Sequence, residues 1–288
     1  MPIKIENLSF SYNKGTPFEQ ETLHEINFQV EDGEFIALIG PTRSGKTTLA
    51  QHMNALYIPQ SGRVLVDGFD TADKRTDLVN LRHRVGYVFQ NPDYQLFAPT
   101  VGEDIAFGPL NQKLNRNEVE NRVREAMDQV GLDYYNFRDR DIYALSGGQK
   151  RRAAIAGVLA CKPKVLILDD ITAGLDPRGR DDILQVIDTL HREQNITIIF
   201  ISSSMSETAV TAGRIAIMNR GKIIMDDSPR QIFKHTAELR SLGLELPEVS
   251  IIIEKLSLAG FHLPPDVLCV EEAISAIAAV LPKKEDGS

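Results

Sequence analysis

The chain has 288 residues, 42% of them hydrophobic, which allows a substantial core in one or two domains. Its 40 acidic residues outnumber 32 Lys and Arg, giving a formal charge of -8 that argues against non-specific nucleic-acid binding as the main role. No nucleic-acid partner is expected, and the short basic run Lys150-Arg151-Arg152 does not change that reading.

Met1-Pro2-Ile3-Lys4-Ile5-Glu6 lacks the apolar core of a signal peptide. Ile3–Tyr12 and Leu23–Val30 read as strands, with β-branched and aromatic residues alternating with polar ones. Between them Asn13–Gln20, with Gly15 and Pro17, reads as a loop. An apolar run, Phe35–Ile39, then meets Gly40-Pro41-Thr42-Arg43-Ser44-Gly45-Lys46-Thr47. A helical pattern follows from Thr48 to Leu56. Strand, glycine-bounded loop and helix together fit the phosphate-binding G-x-x-x-x-G-K-[ST] loop. Its backbone N–H groups and the helix N-terminus suit a triphosphate. Lys46 would neutralise β/γ-phosphate charge, and the Thr47 hydroxyl would ligate Mg2+. ATP and Mg2+ are therefore the expected ligands, with Gly40 to Thr48 as the binding segment.

Arg63–Val66 and Val85–Phe89 read as further strands. Asn115–Val130 reads as a helix, with Val119, Val123, Ala126, Met127 and Val130 at helical spacing. Gly147–Leu159 is a second helix, opened by a glycine pair. The strand Val165–Leu168, the helix Arg180–Leu190 and the strand Ile196–Ile201 follow. Both apolar strands are far too short to span a membrane. Alternating strands and helices imply an α/β fold with a parallel sheet and helices on both faces. The mostly helical stretch between Gln90 and Leu145 suggests an inserted subdomain. Cys161 and Cys269 show no metal-ligand spacing and are expected as buried free thiols. After about Leu242, Pro247–Ala259 and Val270–Val280 read as two amphipathic helices. They are too small to bury a core alone, and pack either on the main domain or on a second subunit. The tail Pro282–Ser288 is charged and expected to fray.

Val165-Leu166-Ile167-Leu168-Asp169-Asp170 is an apolar strand ending in acids, the Walker B pattern, in which Asp169 holds Mg2+. Between the two Walker elements lies Leu145-Ser146-Gly147-Gly148-Gln149, which resembles the signature motif of ABC ATPases. In that family Ser146, Gly147, Gly148 and Gln149 would face the γ-phosphate held by an opposite subunit, again presenting a helix N-terminus to an anion. Tyr12 then resembles the aromatic that stacks on adenine. Gln90 resembles the glutamine that senses Mg2+ and the attacking water. Ala173-Gly174-Leu175-Asp176 resembles the loop that crosses the dimer interface.

Further stretches resemble the ATPase subunits of energy-coupling factor transporters. They are Thr16-Pro17-Phe18-Glu19, Gln51 to Leu56, Asp104 to Pro109, Gln149 to Arg152, Leu242-Gly243-Leu244 and Pro264-Pro265. The resemblance implies a P-loop NTPase of the ABC type with a parallel core sheet and an N-terminal antiparallel β subdomain. Residues 1–242 would form the ATPase domain, with a helical subdomain at about 91–160, and residues 243–288 a helical extension. It also implies a dimer with an identical or paralogous ATPase subunit, seated on the cytoplasmic face of the membrane. Its membrane partners would be a scaffold subunit and a substrate-binding subunit that import a vitamin or a transition-metal ion. Asn91–Phe97, with Tyr94, Leu96 and Phe97, is a candidate wall for a scaffold helix.

Three positions depart from the family pattern. Asp170 stands where glutamate usually polarises the attacking water, and its shorter side chain holds the carboxylate roughly 1–1.5 Å farther back. Ser203 stands where a histidine is usual, and none of His24, His52, His83, His191, His235 or His262 falls in that segment. Arg43 stands where glycine is usual, facing outwards, the phosphates or the opposing subunit. Asp170, Gln90 and Ser203 are thus the candidate catalytic residues, and Thr47, Gln90 and Asp169 the candidate metal residues. ATP binding is expected to be intact and hydrolysis at this chain's own Walker site impaired. Two rival readings are a non-catalytic nucleotide-binding partner subunit and a soluble ABC ATPase outside transport.

Overall fold

The computed structural model describes residues 2–281, so the expected frayed tail lies outside the described residues. Among the described residues ten strands make two sheets. One is antiparallel, in the order β2 (Gln20–Val30), β1 (Ile3–Tyr12), β4 (Ser61–Val66), β5 (Phe69–Asp70). The other has six strands, in the order β10 (Lys222–Asp227), β9 (Arg214–Asn219), β3 (Phe35–Ile39), β8 (Thr197–Ile201), β7 (Val165–Asp169), β6 (Val85–Val88). Its pairs are parallel except at the edge, where β10 runs antiparallel to β9. The sequence reading missed β9, β10 and β5.

Every residue of β3, β7 and β8 is buried, as expected of central strands covered on both faces. The pleat divides them between two cores. Ala37, Ile39, Leu166, Leu168, Ile198 and Phe200 face one core, built with the helices Arg116–Gln129, Gly147–Leu159 and Pro177–Gln194. Ile36, Leu38, Val165, Ile167, Ile199 and Ile201 face the other. There Leu49, Ala50 and Met53 of the helix Lys46–Met53 join Ile3, Ile5 and Leu8 of β1. The phosphate-loop helix is thus clamped between the two sheets.

The helices Val101–Asn111, Arg116–Gln129 and Gly147–Leu159 fall in the stretch between β6 and β7. Asn115 caps the second of these by accepting from the Glu118 N–H, and all five periodic apolar positions, Val119 to Val130, are buried. Beyond β10, Leu244, Leu246 and Leu268 enter the main core. The last two helices, Glu248–Leu258 and Val270–Val280, share a small cluster with Val267 around Ile253 and Ala273, and Ile251 packs against the main core. Ion pairs Arg230–Glu272 and Arg240–Glu254 tie them back to the preceding chain. Within the chain these helices therefore contact the main body, while Ile252, Leu258, Val270 and Ile274 stay exposed.

Two expectations need correction. Cys161 and Cys269 are free thiols but only partly buried, because both lie at the ends of helical elements and not in a core layer. Of the apolar residues Tyr94, Leu96 and Phe97, Leu96 is buried in the main core, which leaves Tyr94 and Phe97 exposed.

Candidate active site

The loop after β3 turns sharply at Gly40, where an added Cβ would lie 2.1 Å from the Met218 carbonyl oxygen of β9. Gly45 precedes the helix with φ +106°, in the left-handed region that favours glycine. These two residues let the loop fold back over the helix N-terminus. Lys46 Nζ donates to the carbonyls of Gly40 at 2.8 Å and Pro41 at 3.0 Å. Burial lowers its pKa, and the negative charges of Asp170 and Asp169 oppose that shift. Ser44 Oγ is buried and, among the described residues, has no hydrogen-bond partner. A phosphate oxygen in the loop would satisfy it.

Strand β7 delivers the two acids. Thr47 Oγ1 donates to Asp169 Oδ1 at 3.3 Å, and Tyr87 on the neighbouring β6 donates its hydroxyl to Asp169 Oδ2 at 2.7 Å. Burial raises the Asp169 pKa, while the Tyr87 and Thr47 hydrogen bonds pull it down. Burial also pushes the Tyr87 phenol far up, so it stays a donor. A hydroxyl beside a carboxylate is a hard oxygen pair that suits Mg2+, which takes few protein ligands alongside phosphate and water. Among the described residues no cluster of three His, Cys, Asp or Glu side chains forms a metal cage.

Asp170 follows in a left-handed conformation, φ +49°. Its carboxylate is held from both sides, by Gln90 Nε2 at 3.0 Å and by Ser203 Oγ at 3.3 Å. The three candidate catalytic residues, which come from the ends of β6, β7 and β8, therefore meet at one point at the carboxyl edge of the sheet. Ligands bind at this edge in open α/β sheets.

On the other side of the loop, the Tyr12 hydroxyl and Thr48 Oγ1 lie 2.9 Å apart, and Tyr12 packs edge-on against Phe10 and Tyr57. A cleft of about 210 Å³ runs here between Tyr12, Gln20 and Thr22 and the loop residues Arg43 to Thr48. Larger concavities exist, such as a groove of about 380 Å³ beside Arg122 and Gln129, but they lack a phosphate loop.

Ser146 caps the helix Gly147–Leu159. Its Oγ accepts from the Gln149 N–H at 3.3 Å, and its own N–H donates to Gln149 Oε1 at 3.0 Å, a closed capping box. Nothing lies within 4 Å of a Cβ added at Gly147 or Gly148. Among the described residues no hydrogen bond or ion pair joins Ser146–Gln149 to Gly40–Thr48. The phosphate loop and the signature residues are thus two separate sites within the chain.

The family model described as ABC transporter matches residues 23–173. The energy-coupling factor transporter ATP-binding protein EcfA2 of Clostridium tetani is 47% identical over 284 residues, covering 99% of both chains. The chain belongs to the energy-coupling factor ABC ATPases. Among solved structures, cbiO1 of Clostridium perfringens, described as part of the ABC transporter complex cbiONQ, shares 36% identity. It has a TM-score of 0.74 over 88% of this chain and 98% of its own. The dimeric structure of MJ0796, a bacterial ABC transporter cassette, shares 27% identity, with a TM-score of 0.71 over 79% of this chain and 98% of its own.

Three functional features of this ATPase escaped the sequence reading. Tyr87 anchors Asp169, and its only signal is a polar-tipped aromatic on the strand beside Walker B. Arg151 is buried in the signature helix and reaches the backbone carbonyls of Asp170 at 3.4 Å and Ala173 at 3.3 Å. Glu207 is buried and accepts from Thr172 at 2.8 Å and Ser202 at 3.1 Å, while Arg180 pairs with its other oxygen at 3.1 Å.

Proposed function

We propose that this chain is the ATP-binding subunit of an energy-coupling factor importer and forms one half of an ATPase dimer on the cytoplasmic face of the membrane. Membrane scaffold and substrate-binding subunits would couple ATP turnover to import of a vitamin or a transition-metal ion. Among the described residues no helix is long and apolar enough to cross a membrane. Exposed Tyr94, Phe97 and Phe107 supply an apolar strip for a scaffold helix.

At the chain's own Walker site, Lys46 and Ser44 bind phosphate oxygens, Tyr12 stacks on the base, and Thr47 with Asp169 would hold Mg2+. The metal, when bound, would neutralise charge on the β- and γ-phosphates. Gln90 and Asp170 orient the attacking water. The signature residues Ser146 to Gln149 serve the site built on the partner's loop.

The observation that carries the asymmetric part of this reading is Asp170 tied to Gln90 and Ser203. A carboxylate one methylene short is held by two neutral donors, with no imidazole to assist. Displacement of a catalytic group by about 1 Å costs on the order of 100-fold in rate. This site binds ATP and turns it over slowly, and the partner's site does most of the hydrolysis. The same observation favours one second reading, a subunit that only closes on ATP and completes its partner's site. Affinity purification from native membranes tests the assembly: a second ATPase and two membrane proteins should co-purify. Comparing phosphate release by this chain alone with that of the purified complex separates slow turnover from none.

A further inference from the structure

Arg43 sits at the crown of the phosphate loop with φ +66°, a left-handed backbone that favours glycine. Its side chain is exposed and, among the described residues, makes no ion pair or hydrogen bond. It lines the cleft of about 210 Å³ shared with Tyr12, Thr22, Lys46 and Thr48. An unpartnered guanidinium at the mouth of a phosphate cleft has an obvious ligand class. Its fork geometry pairs with phosphate oxygens through two parallel N–H···O bonds.

We infer that Arg43 is a specificity-determining residue of the nucleotide site, a second cation that clasps the phosphate chain from the solvent side while Lys46 holds it from below. This rests on the reading of the site as an ATP site. The strained backbone is retained because the bound anion repays it. Two consequences follow that a surface arginine would not have. Affinity carries an added salt dependence, and the residue trades stability for binding.

The test uses the full-length protein and ATP, ADP and AMP, with calorimetry at low and high salt. R43Q should weaken ATP about 10-fold at low salt, as expected for loss of a charge-assisted pair of this kind. The loss should be smaller for AMP and should shrink at high salt, where the wild-type advantage is screened. R43G should show the same weakening with a higher melting temperature, since it removes the side chain and the strain together. ATP affinity within twofold of wild type in both variants overturns the inference. So does unchanged affinity coupled to weaker ATP-driven dimerisation, which would place Arg43 on the partner subunit. Wild-type protein that binds no ATP would instead remove the underlying reading of the site.

Discussion

Ser203 Oγ lies 3.3 Å from Asp170 Oδ1, while Gln90 holds the other carboxylate oxygen. The serine reaches the acid but brings no charge and no second titrating nitrogen to the reaction. The pair fixes a carboxylate in place without extending it.

Asp170→Glu together with Ser203→His should therefore raise ATP turnover of the purified complex by about 10- to 100-fold at this chain's own site. Phosphate release with the partner's site inactivated measures it. Flat turnover would return Asp170 to the role of a fully working acid.

Lys46→Ala removes a half-buried ammonium already turned into the loop. A charge-assisted contact of about 1.5–3 kcal/mol corresponds to roughly 10- to 150-fold in Kd. Calorimetry with Mg-ATP should show a loss in that range. An unchanged Kd means that the loop does not bind triphosphate.

Ser146→Ala should damage transport more than Asp170→Asn if, as proposed, Ser146 serves the faster site. The variant also loses an N-cap, worth about 1 kcal/mol of helix stability, so ATP affinity at this chain's own loop is the control. It should be unchanged. Equal transport defects in the two variants would make the two sites equivalent.

Asp67 supplies a pH test of stability. Its carboxylate is paired with Lys164 at 3.2 Å and with Arg84, and these partners hold its pKa below the ordinary value. A depressed folded pKa means stability that is present above the unfolded pKa and lost as pH falls through the folded one. For a partly exposed pair the amount is about 0.5–1 kcal/mol. Asp67→Asn should lower the melting temperature by a few degrees at pH 7, with the gap closing in acid. A gap that stays constant from pH 7 to pH 3 would rule out the ionic contribution.

Truncation after Leu244 removes Leu246 and Leu268 from the main core and strips the Ile253 cluster. The melting temperature should fall while ATP affinity of the remaining chain holds. An equally stable truncation would show that the last two helices bury nothing of consequence.

The phosphate loop was legible because its chemistry lies in consecutive residues with a strand before and a helix after. The buried periodicity of Val119 to Val130 was legible for the same local reason. The Tyr87–Asp169 bond was not, since 82 residues separate the partners and a strand's alternation gives a face but no partner. The meeting of Gln90, Asp170 and Ser203 depends on parallel register between β6, β7 and β8, which only a family pattern anticipates. Strands β9 and β10 lie in Arg214–Asp227, a stretch to which the sequence reading assigns no element. Leu96 was misjudged because a short loop run does not reveal which of its apolar residues turns inward.

Glu207 has a mechanical consequence. It fastens the residue before Ser203 to Thr172, two residues past Asp170, and through Arg180 to the helix that follows the interface loop. Two segments that are distant in sequence, residues 172–180 and 202–207, are bolted together at one buried carboxylate. If the proposed dimer forms across residues 173–176, a shift of that loop would pass through this carboxylate to Ser202 and so to the serine that holds Asp170.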